Sequence, residues 1–103
     1  MVSLISNNQD AIVRLCRKHG VSRLEVFGSA VEGNFDETRS DVDFLIEFPP
    51  GQDLGPWLSR YFDFKDALER LLGCRVDLVM PSAMKNPFFI REVNATRRVV
   101  YAS

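Results

Sequence analysis

The chain has 103 residues, 46% of them hydrophobic, enough for one core and one domain spanning residues 1–103 but not for a second. Its 13 Lys and Arg against 14 Asp and Glu leave a net charge of -1, so no broad basic field exists to hold a polyanion and no direct nucleic-acid binding is expected. No basic start with an apolar run marks a secretory leader, no stretch is apolar enough to span a membrane, and Cys16 and Cys74 lack metal-ligand spacing; together these predict a cytoplasmic protein with two free thiols.

Ser6 and Gln9 stand at capping-box spacing, and Ile12, Leu15, Cys16 and His19 then repeat at helical intervals until Gly20, which predicts a first amphipathic helix. Leu24, Val26 and Phe27 form a short strand that breaks into a turn at Gly28-Ser29. Val42, Phe44, Ile46 and Phe48 alternate with Asp43, Leu45 and Glu47, a second strand stopped by Pro49-Pro50-Gly51. Beyond Gly55-Pro56, the residues Leu58, Tyr61, Phe62, Leu68, Leu71 and Leu72 mark a second helix closed by Gly73. Residues 74–79 read as a third strand. Asn86-Pro87 is an N-cap followed by proline at the first helical position, predicting a third helix over residues 88 to about 95. Val99-Val100-Tyr101 ends the chain as a last strand. The order of these elements suggests an α/β or α+β sheet with helices packed against it.

The chemistry-bearing stretch is Val26-Phe27-Gly28-Ser29-Ala30-Val31-Glu32-Gly33 followed, after a polar loop, by Arg39-Ser40-Asp41-Val42-Asp43-Phe44. Two residues apart at the start of a strand, Asp41 and Asp43 project from one face with Cα atoms roughly 6.5 Å apart. Such a pair, without His or Cys, suits Mg²⁺, which takes oxygen ligands from one or two carboxylates plus substrate phosphates. Gly28 removes a side chain at the turn and Ser29 adds a hydroxyl beside backbone N–H groups, a small cradle for phosphate oxygens. Asp77 offers a third carboxylate if its strand neighbours that of Asp41. Three converging carboxylates would suit two-metal phosphoryl transfer, with Asp77 lowering the pKa of an attacking hydroxyl or accepting its proton.

Phe27-Gly28-Ser29, Gly33 and Ser40-Asp41-Val42-Asp43, with the later Leu71-Leu72-Gly73-Cys74-Arg75-Val76-Asp77-Leu78-Val79 and the ending Val99-Val100-Tyr101-Ala102, resemble the minimal nucleotidyltransferase (MNT) family of the DNA polymerase β superfamily. The resemblance covers nearly the whole chain. It implies a polymerase β-like nucleotidyltransferase core, a small mixed β-sheet with helices packed against it. It also implies ATP as substrate, bound by Gly28, Ser29 and Ser40, and two Mg²⁺ ions held by Asp41, Asp43 and Asp77, which support catalysis. Family members of this kind pair with a HEPN ribonuclease toxin as its antitoxin, transferring AMP to a toxin tyrosine within a hetero-oligomer. The chain departs from the family pattern at Glu32, where arginine is common before the second glycine, and in a loop from Ala30 to Ser40 one residue longer than in the closest antitoxin members.

Other readings of single residues stand beside these. Asp41 can cap a loop, Asp43 can be a solvent-facing strand residue, Ser40 can bond its own turn, and Arg39 can solvate the loop. His19 suits the last turn of a helix, where a cation complements the dipole. Trp57, Tyr61, Phe62 and Phe64 belong mostly to the core, with Phe64 off the main apolar face and Phe88 and Phe89 adjacent, leaving aromatic surface for a partner. Lys85, Arg91, Arg97 and Arg98 read as a solvated basic face. Three functions remain open: protein adenylyltransferase, non-catalytic binding antitoxin, and a transferase acting on an antibiotic or other metabolite, for which no substrate-holding helical domain is present.

Overall fold

A computed structural model describes residues 3–32, 41–49 and 54–103, without the side chains of Ser29, Glu32 and residues 54–57. The elements run α1 (Ser3–Ser6), α2 (Gln9–Lys18), β1 (Arg23–Phe27), α3 (Ser29–Glu32), β2 (Val42–Glu47), α4 (Leu54–Leu72), β3 (Val76–Val79), a 3₁₀ turn (Pro81–Ala83), α5 (Pro87–Thr96) and β4 (Arg98–Ala102). The four strands form one sheet in the order β3-β2-β1-β4. β1 is antiparallel to both β2 and β4, whereas β2 and β3 are parallel, so the sheet is mixed. The parallel pair follows from connectivity. Helix α4 carries the chain back along the sheet between β2 and β3, the crossover that parallel neighbours need.

Both faces of the sheet are covered, and the period of two assigns each residue to one of them. Leu24, Val26, Val42, Phe44, Ile46, Val76 and Leu78 join Ile12 and Cys16 of α2 and Phe64, Leu68 and Leu72 of α4 in the larger core. On the opposite face Phe27 and Leu45 pack with Val93 of α5. Along β2 only Asp43 and the terminal Glu47 escape full burial.

Five expectations need correction. Ser6 closes the short α1 and is not the cap of α2; Asn8 takes that place, and its amide donates to the Leu4 carbonyl at 2.7 Å. The second helix starts at Leu54, ahead of Pro56, because a proline in the first turn has no N–H to satisfy. Phe64 is not off the apolar face: it is 0% exposed, while Phe62 is 57% exposed. Tyr61, Phe64, Leu68 and Leu71-Leu72 form the helix's inward stripe at steps of three and four, and Phe62 falls outside it. The third strand begins at Val76, where pairing with Val42 starts, rather than at residue 74. The N-cap at Asn86 is as expected, its side-chain oxygen accepting from the Phe88 and Phe89 amides at 2.9 and 3.4 Å. His19 caps the end of α2 and lays its ring against Phe64, with centroids 5.7 Å apart.

Arg97 is also not part of a solvated face. Glu25 of β1 is buried, and Arg97 Nε donates to its Oε1 at 3.1 Å while a second guanidinium nitrogen donates to Oε2. Arg23 adds an ion pair at 3.4 Å. The fork ties the end of α5 to β1, and the hydrogen bond from Arg97 holds the Glu25 carboxyl below its ordinary value of 4.5 against the opposing effect of burial. A depressed carboxyl stabilises the fold fully above its unfolded value and loses that contribution as pH falls through the folded value. Glu25→Gln should therefore cost on the order of 2–3 kcal/mol in urea unfolding at pH 7, with the gap to the parent closing as the pH is lowered below 4.5; a gap independent of pH would show that the charge contributes nothing.

Candidate active site

The parallel register of β2 and β3 sets Asp43 opposite Asp77, both on the face that carries α5. On the other side of β2 the antiparallel register sets Asp43 opposite Phe27, the last residue of β1. Asp77, Asp43 and the turn at Gly28 are thereby brought into one row across three strands. β3 lies at the sheet edge, where α4 pins it: the Val76 amide donates to Glu69 at 3.1 Å and the Tyr61 hydroxyl to the Leu78 carbonyl at 2.8 Å. The strand bearing Asp77 is held on both sides of that residue.

Gly28 answers two constraints. Its φ of +78° lies in the left-handed region, and a Cβ there would stand 3.0 Å from Asp43 Oδ2. Its N–H donates to Thr96 Oγ1 at 2.9 Å and its carbonyl accepts from the Val31 amide at 3.0 Å, which starts α3.

Burial pushes the Asp43 carboxyl up to about 6, with the charges of Asp77 and Asp41 and a hydrogen bond shared with Asp77 adding to the rise. Asp41 lies just before β2 and Arg75 just before β3, where the Val42 amide bonds the Arg75 carbonyl at 3.0 Å. The Asp41 carboxylate accepts from Arg75 Nε at 3.1 Å. Among the described residues, no three His, Cys, Asp or Glu side chains are gathered closely enough to hold a metal ion. What the structure presents is a carboxylate pair, Asp43 and Asp77, with Asp41 beside it in an ion pair. Two crowded carboxylates with oxygen donors alone fit a hard divalent cation, which keeps waters and takes its remaining ligands from phosphates.

Asp43 and Gly28 open into a cavity of about 300 Å³ whose other walls are Phe27 and the α5 residues Phe89, Glu92, Val93, Ala95 and Thr96. Phe27 and Phe89 meet edge to face at 5.9 Å. Sequence reasoning did not assign the α5 residues to the site, although Phe89, Glu92-Val93 and Thr96 recur at steps of three and four, the signal of one helix face. Ser29 begins α3, but its side chain, that of Glu32, and Gly33, Arg39 and Ser40 lie outside the described residues.

A model of the nucleotidyltransferase domain matches residues 10–100. The chain belongs to that family. It is 43% identical over 72 residues to the protein adenylyltransferase MntA of Thermococcus cleftensis, covering 70% of this chain and 68% of the relative. A structure solved as a candidate minimal nucleotidyltransferase superposes with a TM-score of 0.71 at 34% identity, covering 91% of this chain and 90% of the other. A complex of a tri-AMPylated HEPN toxin with its MNT antitoxin from Shewanella oneidensis gives a TM-score of 0.63 at 17% identity, covering 95% of this chain and 72% of the matched chain, a likeness of fold alone. The mixed sheet expected from the family pattern is the sheet observed.

A carboxyl held up at about 6 is disfavoured in its ionised form, and the cost is present above that pH. Asp43→Asn removes it, so in metal-free buffer at pH 8 this variant should melt above the parent. An equal or lower melting temperature would contradict the crowding of the carboxylates.

Proposed function

We propose that this nucleotidyltransferase transfers AMP from ATP to a hydroxyl, a tyrosine, of a partner HEPN ribonuclease toxin and so serves as its antitoxin, with Mg²⁺ as cofactor. The observation that carries this reading is the pairing of Asp43 with Asp77 in one row with the Gly28 turn, at the mouth of a cavity. The 43% identity to an MntA adenylyltransferase supports AMP as the transferred group. The fold shared with an MNT antitoxin bound to an AMPylated HEPN toxin supports the partner.

In this reading the acceptor hydroxyl oxygen attacks the α-phosphorus, the bond to pyrophosphate breaks, and Asp77 orients or accepts the hydroxyl proton. Asp43 and Asp77 would hold the metal, with Asp41 as a further ligand if freed from Arg75, and Gly28, Ser29 and Ser40 would bind the triphosphate. Mg²⁺ held there supplies neutralisation of the phosphates and a lowered pKa for the attacking hydroxyl. The transferase domain accounts for residues 10–100, and the proposed acceptor lies outside them.

Incubation with α-labelled ATP, Mg²⁺ and a co-encoded HEPN protein should label that protein on tyrosine, with Asp43→Asn and Asp77→Asn each slowing transfer by at least roughly 10²-fold. Absence of label with the parent, or full transfer by both variants, would refute the assignment. A double variant at Asp43 and Asp77 that still protects cells would instead favour neutralisation by binding alone.

A further inference from the structure

We propose that Thr96 is a positioning residue of the nucleotide site, its hydroxyl fixing the Gly28 turn in the conformation that receives the triphosphate. The inference rests on the nucleotidyltransferase reading above and adds to it a residue of α5. Thr96 is the last residue of α5 and is 8% exposed. Its Oγ1 accepts from the Gly28 amide at 2.9 Å and donates to the Glu92 carbonyl at 3.1 Å, so the hydroxyl is satisfied in both roles and its rotamer is set.

The turn has need of that bond. Pairing between β1 and β2 ends at Phe27 and Asp43, so the Gly28 amide stands beyond the ladder. A glycine with φ of +78° has many alternatives, and the Thr96 hydroxyl selects one of them. The bond also engages the Gly28 amide with α5. With its amide engaged by Thr96, Gly28 presents to the site its turn and its lack of a Cβ against Asp43.

Thr96 is itself held in place. The next residue, Arg97, is forked onto buried Glu25 of β1, and its amide closes the helix on the Val93 carbonyl at 2.8 Å. The end of α5 is thus fastened to β1 at Glu25 and to the turn three residues further along, at Gly28. Threonine in place of valine at this buried helix end carries a desolvation cost, which the bond to Gly28 offsets.

Valine keeps the shape of threonine and can neither accept nor donate, whereas serine can do both. The test uses the full chain and titrates Mg²⁺ with a non-hydrolysable ATP analogue by calorimetry, with Gly28 amide exchange followed by NMR. Thr96→Val should open the Gly28 amide to exchange and weaken analogue binding by roughly tenfold. In transfer assays the loss should fall on KM for ATP, with kcat within about threefold of the parent. Thr96→Ser should restore both exchange protection and affinity, a rescue that a merely space-filling threonine would not show. Should Thr96→Val not fold, Thr96→Ala against Thr96→Ser makes the same comparison. Affinity unchanged in Thr96→Val, or Thr96→Ser no better than valine, overturns the inference while leaving the transferase reading intact; a parent that binds no analogue overturns both, and Gly28 protection lost in Thr96→Val then reports only the hydrogen bond.

Discussion

Everything at this site depends on the parallel register of β2 and β3. With Val42 opposite Val76, alternation puts two aliphatic side chains into the core and leaves Asp43 beside Asp77 on the other face. A slip of one residue would bury a carboxylate among Ile12, Phe64 and Leu68 and expose the valines, so the hydrophobic pattern enforces the carboxylate pairing. The functional geometry is thus a by-product of the apolar one. It is reinforced at the sheet edge by Glu69 and Tyr61, which bond β3 on both sides of Asp77.

The pairing is unfavourable by itself. Half-buried Asp43 stands beside the exposed Asp77 with their charges opposed, and the Arg75 guanidinium is engaged by Asp41. Strain of this kind is tolerated because the rest of the sheet is covered on both faces, and its concentration at one point is a mark of function. The contrast with Glu25 is instructive. That carboxylate is more deeply buried, yet a forked arginine satisfies it, and its role is to fasten α5 to β1. One acid is left crowded and the other is matched, on the same face of the same sheet.

Much of this could be read from the chain. The period of two in β2 announced which face Asp43 would occupy, the Asn86-Pro87 pair marked the start of α5, and the glycine at 28 signalled a turn that excludes a side chain. The helix-strand order and the mixed sheet followed from patterning and family likeness. What could not be read are the facts that depend on distant pairing. That Asp43 rather than Asp41 faces Asp77 follows from strand register, and Arg75 meets Asp41 for the same reason. Thr96 is 68 residues from Gly28 in the chain, and no local pattern connects them. Phe64 and Phe62 were assigned to the wrong sides because two apolar stripes compete along α4, and only packing against the sheet chooses between them.

The proposed function requires Asp43 and Asp77 to act as a single cation site beside the Gly28 turn. Paramagnetic broadening of the protein's NMR spectrum by substoichiometric Mn²⁺ measures it most directly. The amides of Asp43, Asp77 and Gly28 should broaden first, and Asp77→Asn should remove the effect. Broadening centred elsewhere on the chain, or unchanged in that variant, would contradict the claim.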